Sequence, residues 1–177
     1  TIQPDLAEVH RRLGALLQEQ GLWDDTIASY RESLRLEPDV VWVLSNLATV
    51  FLELGQLDDA VDSYRKGLAL EPNSPQIHYN LGIALQTQGK FENAVGAYEE
   101  TLRLDPEYAE AHENLGNVLA ELNRLDAAVD SYHRALDINP DFAEVHTNLG
   151  NVLGKQGLMG ESLEHHREAL RINPEFA

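Results

Sequence analysis

The sequence contains no cysteine, which excludes disulfides, thiolate chemistry and cysteine-ligated zinc while leaving the compartment unspecified. It has no run of about 18 apolar residues, so no membrane-spanning helix is expected, and it carries no signal-peptide pattern. Positive charge is scarce: 13 Lys and Arg stand against 30 Asp and Glu, for a formal net charge of −17. This excess is spread along the whole chain and argues against nucleic acid and anionic membranes as partners. A Gly-rich phosphate loop, a nucleophile elbow and a Ser-His-Asp set are also missing. Carboxylates are plentiful, but they fall where regular helix surfaces are expected rather than in an apolar pocket. No cofactor is implied, no enzymatic activity is expected, and the cytoplasm is only a default compartment.

What the sequence does have is repetition. "AEAHENLGNVLAEL" from Ala109 returns 34 residues later as "AEVHTNLGNVLGKQ" from Ala143. The same step backward finds "PQIHYNLGIALQTQG", "VWVLSNLATVFLELG" and "AEVHRRLGALLQEQG". A fixed period of this kind sets the whole architecture. Five units follow, at residues 7–40, 41–74, 75–108, 109–142 and 143–176, in strict register. Leu13, Leu47, Leu81, Leu115 and Leu149 form one column, with Gly14, Ala48, Gly82, Gly116 and Gly150 next to it. Tyr30, Tyr64, Tyr98, Tyr132 and His166 form a third, and Pro38, Pro72, Pro106, Pro140 and Pro174 close the units. Residues 1–6 read as the tail of a preceding repeat, with Pro4 in the closing-proline column, and the chain is expected to be a segment of a longer repeat protein.

Within a unit, apolar residues recur at i, i+3, i+4 and i+7, one face of a helix. Gly21, Gly55, Gly89 and Gly157, with Asn123 in the same column, predict a left-handed helix end. Asp24, Asp58 and Asp126 are expected to N-cap a second helix, and Asp5, Asp39 and Asp141 to cap the first helix of a unit. Such short helices are marginal alone and gain order by stacking. The last unit, with Met159, Gly160, Ser162 and His166, is expected to be the least stable.

The order Leu-Gly, Gly, aromatic or large apolar, Ala, Tyr, Ala-Leu, Pro resembles the tetratricopeptide repeat across essentially the whole chain. The resemblance implies an all-α, right-handed superhelical solenoid of five helix-turn-helix repeats whose first helices line an inner groove for peptides. After the core columns are assigned, positions two, five, six, nine, twelve and thirteen of each unit share one leftover face. The candidate groove residues are Arg11, Arg12, Trp42, Asn46, Gln76, Tyr79, Asn80, Glu110, Glu113, Asn114, Asn117, Asn148 and Asn151. Asn46, Asn80, Asn114 and Asn148 form a column whose amides both donate and accept, suited to a peptide backbone. The column is similar to the asparagine ladder in the repeat arm of O-linked N-acetylglucosamine transferases, which raises a substrate-recruiting arm of a larger enzyme, such as a glycosyltransferase, as an alternative. Trp42 and Tyr79 read as aromatic anchors. Arg11 and Arg12 mark one end of the groove and Glu110, Glu113, Glu121 and Glu144 the other, so a partner's basic stretch is expected over the last two units. The carboxylate clamp of chaperone adaptors in the family is not expected, because Gln76 and Asn80 supply no positive charge.

The partner is therefore a protein or peptide, and self-assembly through the terminal helices is a further alternative. His10, His78, His112 and His146 share one column a whole repeat apart, too far for bonds of about 2 Å to converge on a metal. They read as a packing column. Glu161 and His165, four apart, can pair weakly, but no third ligand is evident and no metal is expected.

Overall fold

In the computed structural model, residues 4–175 are described, and among them every regular element is an α-helix. The order is α1 (Pro4–Glu19), α2 (Trp23–Leu36), α3 (Val41–Glu53), α4 (Leu57–Leu70), α5 (Pro75–Thr87), α6 (Phe91–Leu104), α7 (Ala109–Glu121), α8 (Leu125–Ile138), α9 (Ala143–Lys155) and α10 (Met159–Ile172). The chain divides between Gln88 and Gly89 into two compact units, each with its own packing. In the N-terminal unit α1 pairs with α2 and α3 with α4, and α2 packs on α3 and α4 on α5. In the C-terminal unit α7 pairs with α8 and α9 with α10, while α6 packs on α7 and α8 on α9.

The turn inside each hairpin follows from one left-handed residue. Gly21, Gly55, Gly89 and Gly157 have φ between 69° and 83°, and Asn123 substitutes at φ 58°. After the turns at Gly21, Gly55, Asn123 and Gly157 the next residue reaches back five: Leu22 N–H donates to the Leu17 carbonyl at 3.0 Å and Arg124 N–H to the Leu119 carbonyl at 2.8 Å. This wrap corrects the expected N-caps. The first bonds of the second helices run from Thr26 N–H to the Leu22 carbonyl, Ala60 N–H to Gln56 and Ala128 N–H to Arg124. The helices therefore begin earlier than the aspartates suggest, and none of these ends has a side-chain cap. Asp24, Asp58 and Asp126 lie in the first turn, where they complement the helix dipole instead. Nor do Asp39 and Asp141 cap; Val40 and Phe142 hold the capping positions of α3 and α9. Asp5 lies within α1.

The core is built on the tyrosine column. Tyr30, Tyr64, Tyr98 and Tyr132 are essentially fully buried. The glycine column exists for these rings: a Cβ on Gly14 would stand 2.6 Å from the Tyr30 ring, and one on Gly116 2.6 Å from the Tyr132 ring. His166, in the tyrosine column of α10, meets Gly150 with less overlap, at 3.0 Å. The histidine column packs as expected and also staples. The Nε2–H of His78 donates to the Pro72 carbonyl at 2.9 Å, that of His112 to Pro106 at 3.1 Å and that of His146 to Pro140 at 3.0 Å. Gln88 bonds Asp58 at 2.9 Å and Gln156 bonds Asp126 at 2.7 Å, tying the end of a first helix to the preceding second helix.

One core column departs from expectation. Leu47, Leu81, Leu115 and Leu149 are buried, but Leu13 is 44% exposed, and Leu6, Val9 and Leu16 beside it are exposed too. Their columns are covered elsewhere by the second helix of the preceding hairpin, whereas α1 packs chiefly on α2.

Candidate functional site

The leftover faces of the first helices lie on α1, α3 and α5 in the N-terminal unit and on α7 and α9 in the C-terminal unit. Arg11 is not a free cation: its side chain is only 13% exposed, held by Glu8 at 2.9 Å and by Glu37 beyond the end of α2. Those two carboxylates hold its pKa above the ordinary arginine value. Arg12 is exposed and pairs with Glu8 at 2.6 Å. Trp42, in the first turn of α3, is 46% exposed, and its ring meets Tyr30 edge-on at 6.3 Å. It forms one wall of a cleft of about 490 Å³ together with Asp39, Asn46, Glu71, Gln76 and Ile77. Gln76 donates to Asn80 at 3.2 Å, one turn along α5, and Tyr79 and Asn80 are partly exposed.

The asparagines do more than line a surface. Asn46 Nδ2 donates to the Tyr30 hydroxyl at 3.5 Å, and Gln18 accepts from that hydroxyl at 2.9 Å. Tyr64 is met in the same way by Thr49, at 3.0 Å. In the C-terminal unit Asn117 Oδ1 accepts from the Tyr132 hydroxyl at 2.8 Å and from Asn148 Nδ2 at 3.0 Å. The polar tips of Tyr30, Tyr64 and Tyr132 are thus satisfied by residues of the leftover face, as buried hydroxyls require. Asn114 is partly exposed and Asn151 exposed. Glu113 is half-buried, and burial first, then the neighbouring Glu144, holds its carboxyl above the usual range against an opposing bond from Asn117. Glu110 and Glu144 are exposed. Burial and the charges of Glu113 and Glu121 also push the Tyr132 phenol up.

Sequence reasoning missed a histidine cluster in the C-terminal unit. His146 Nδ1 lies 2.9 Å from His165 Nδ1, and the His133 ring stands edge-on to His165 at 6.1 Å. Because His146 donates through Nε2–H to Pro140, its Nδ1 accepts and His165 Nδ1–H donates. Burial, then His146 and His133, holds the His165 pKa below the usual histidine value, opposed by Glu164 and Glu161. Among the described residues no three His, Cys, Asp or Glu side chains are placed to hold a metal ion, and no helix is long and apolar enough to cross a membrane.

The profile of the tetratricopeptide repeat matches residues 79–141 and 123–175, and a second TPR repeat profile matches residues 48–89. The chain belongs to the tetratricopeptide repeat family. A search of curated proteins finds no match. Among solved structures, a MamA crystal structure is 26% identical, with a TM-score of 0.88 over 92% of this chain and 95% of its own. MamA 41-end from Desulfovibrio magneticus RS-1 is 21% identical, with a TM-score of 0.92 and 97% of each chain covered. YrrB, described as a TPR protein with an unusual peptide-binding site, is 21% identical, with a TM-score of 0.80 over 92% of this chain and 84% of its own. The last two likenesses concern the fold.

Proposed function

We propose that this tetratricopeptide repeat chain is a non-catalytic scaffold that binds an extended or helical segment of another protein on its first-helix faces. The observation that carries this reading is an exposed aromatic, Trp42, beside a cleft on a face otherwise rich in side-chain amides. Amides can follow a polypeptide backbone without reading its sequence, and a half-exposed Trp is an effective anchor. YrrB, of the same fold, is described by its peptide-binding site. Asn46 and Asn117 bond tyrosine hydroxyls, Asn148 bonds Asn117 and Gln76 bonds Asn80, so a bound segment would exchange some of these contacts for its own backbone. A partner's basic stretch belongs on the C-terminal unit, where Glu110, Glu113 and Glu144 concentrate negative charge.

Selection of a phage-displayed random peptide library against the chain tests this. Selected peptides should lose about tenfold or more in affinity on Asn80→Ala or Asn114→Ala, a cost ordinary for one interface side chain. Failure to select any peptide, or affinities untouched by either substitution, would contradict the proposal.

A second reading, self-association, rests on the apolar stripes left open at Leu6, Val9, Leu13 and Leu16 of α1 and at Met159, Leu163 and Leu170 of α10. Patches of this kind mark association sites in soluble proteins. A molecular mass in light scattering that stays monomeric across the accessible concentration range would remove this reading.

A further inference from the structure

The chain indicates in one repeat what it lacks in another. Asp141 stands two residues before α9, and Arg171 in the last turn of α10 reaches it at 3.3 Å, steadied by Glu168 at 2.8 Å. Three repeats earlier the same two columns hold Asp39 and Ala69. Arginine fills that second column again at Arg35 of α2 and Arg103 of α6, but α4 has no basic residue in its last turn. Asp39 therefore lacks the cation that its counterpart has, and it lines the cleft beside Trp42.

The rest of that cleft has the same preference. Glu71, which follows α4 as its C-cap, also lines it, and a helix C-terminus adds negative potential there. Neither Asp39 nor Glu71 has an ion-pair partner among the described residues. Trp42 offers an indole held in place by its edge contact with Tyr30, and Val40 and Ile77 add apolar surface. An indole face next to unpaired carboxylates suits a planar cation on an aliphatic stem.

We propose that this cleft receives an arginine side chain of the partner polypeptide, its stem against Trp42 and its guanidinium toward Asp39 and Glu71. The proposal rests on the peptide-binding reading and names the chemistry of one anchor. It differs from the basic stretch expected on the C-terminal unit, because it concerns a single arginine on the N-terminal unit.

The test uses N-acetyl-arginine amide as the probe and its uncharged isostere N-acetyl-citrulline amide as the control. Binding is followed by the indole N–H resonances of Trp42 and Trp23 in the intact chain, assigned with Trp23→Phe. Arginine amide should move the Trp42 resonance saturably and leave Trp23 in place. Citrulline amide should bind about tenfold more weakly, and Asp39→Asn with Glu71→Gln should reduce arginine to that level, the scale of a charge-assisted contact on an aromatic face. Equal shifts with the two probes, no shift with either, or a response that survives the double substitution would overturn the proposal. A selected peptide that binds through Asn80 and Asn114 yet ignores arginine-to-citrulline replacement would sink this anchor and leave the scaffold reading intact. If no peptide is selected but arginine amide still moves Trp42, the scaffold reading fails and the cleft's cation preference stands.

Discussion

In the α3–α4 hairpin the second helix sinks Ala60, Val61, Ser63, Tyr64 and Gly67 into the core, whereas in the α9–α10 hairpin the second helix sinks only Ser162 and Ala169. The two are written in one frame, with Leu163 standing where Val61 stands and His166 where Tyr64 stands. The first helix is not the cause, because α9 buries seven residues of its own, from Ala143 to Leu153. Two things differ. α4 is packed by α3 on one side and α5 on the other, while α10 packs on α9. The ring at the tyrosine position is also smaller and polar in α10. A repeat column fixes which way a side chain points, and a neighbour decides whether it is buried.

The largest difference between the two hairpins should come from removing the two corresponding rings. Tyr64→Ala should cost about 3–5 kcal/mol, the usual loss for a buried aromatic. His166→Ala should cost well under half of that, about 1 kcal/mol, because its ring is partly exposed. Urea denaturation of the two variants measures both, and equal losses would contradict the account. Restoring the missing ring should bring the two hairpins closer in stability. His166→Tyr should stabilise by about 1 kcal/mol, with the new hydroxyl meeting Asn151 as Tyr132 meets Asn117. A destabilised variant would mean that Gly150 and its surroundings cannot take the larger ring. Within the same unit, Tyr132→Phe should lose about 0.5–1.5 kcal/mol, the net worth of one hydrogen bond.

The smallest effect expected is one of pH. The His165 pKa is lowered in the fold, chiefly by burial and then by His146 and His133. The unfolded chain therefore binds more protons, and stability rises with pH. The contribution is full above the unfolded value of about 6.5 and is lost as pH falls through that value and then the folded one. Hydrogen exchange of α10 amides, corrected for intrinsic rates, should thus show weaker protection at acid than at neutral pH, and His165→Gln should flatten the dependence. The α3–α4 hairpin, which holds no histidine, should lack this His165-linked component.

Much of this was legible in the sequence, and the gaps have physical causes. The left-handed residues and the tyrosine column follow from the period, because a turn needs Gly or Asn and a ring needs a gap opposite it. The helix starts did not follow, because the backbone wrap onto Leu17 and Leu119 sets them ahead of the aspartates. Leu13 could not be distinguished from Leu47 by its letter, since only a neighbouring helix separates them. Spacing also showed which residues share the first-helix face. What they touch did not follow: Asn46 and Asn117 reach tyrosine hydroxyls on the second helices, a contact that exists only once the ring is seated on its glycine or alanine. The His146–His165 contact and the Asp141–Arg171 pair join residues about a helix hairpin apart. Comparing columns between repeats could have revealed the second.

In the proposed function the leftover first-helix faces, not the second helices, receive the partner. The most direct test is the chemical-shift footprint of a selected peptide on the isotopically labelled chain. The account predicts shifts concentrated at Trp42, Gln76, Asn80, Asn114 and Asn151. A footprint on Lys66, Glu99 and Arg134, exposed on α4, α6 and α8, would contradict it.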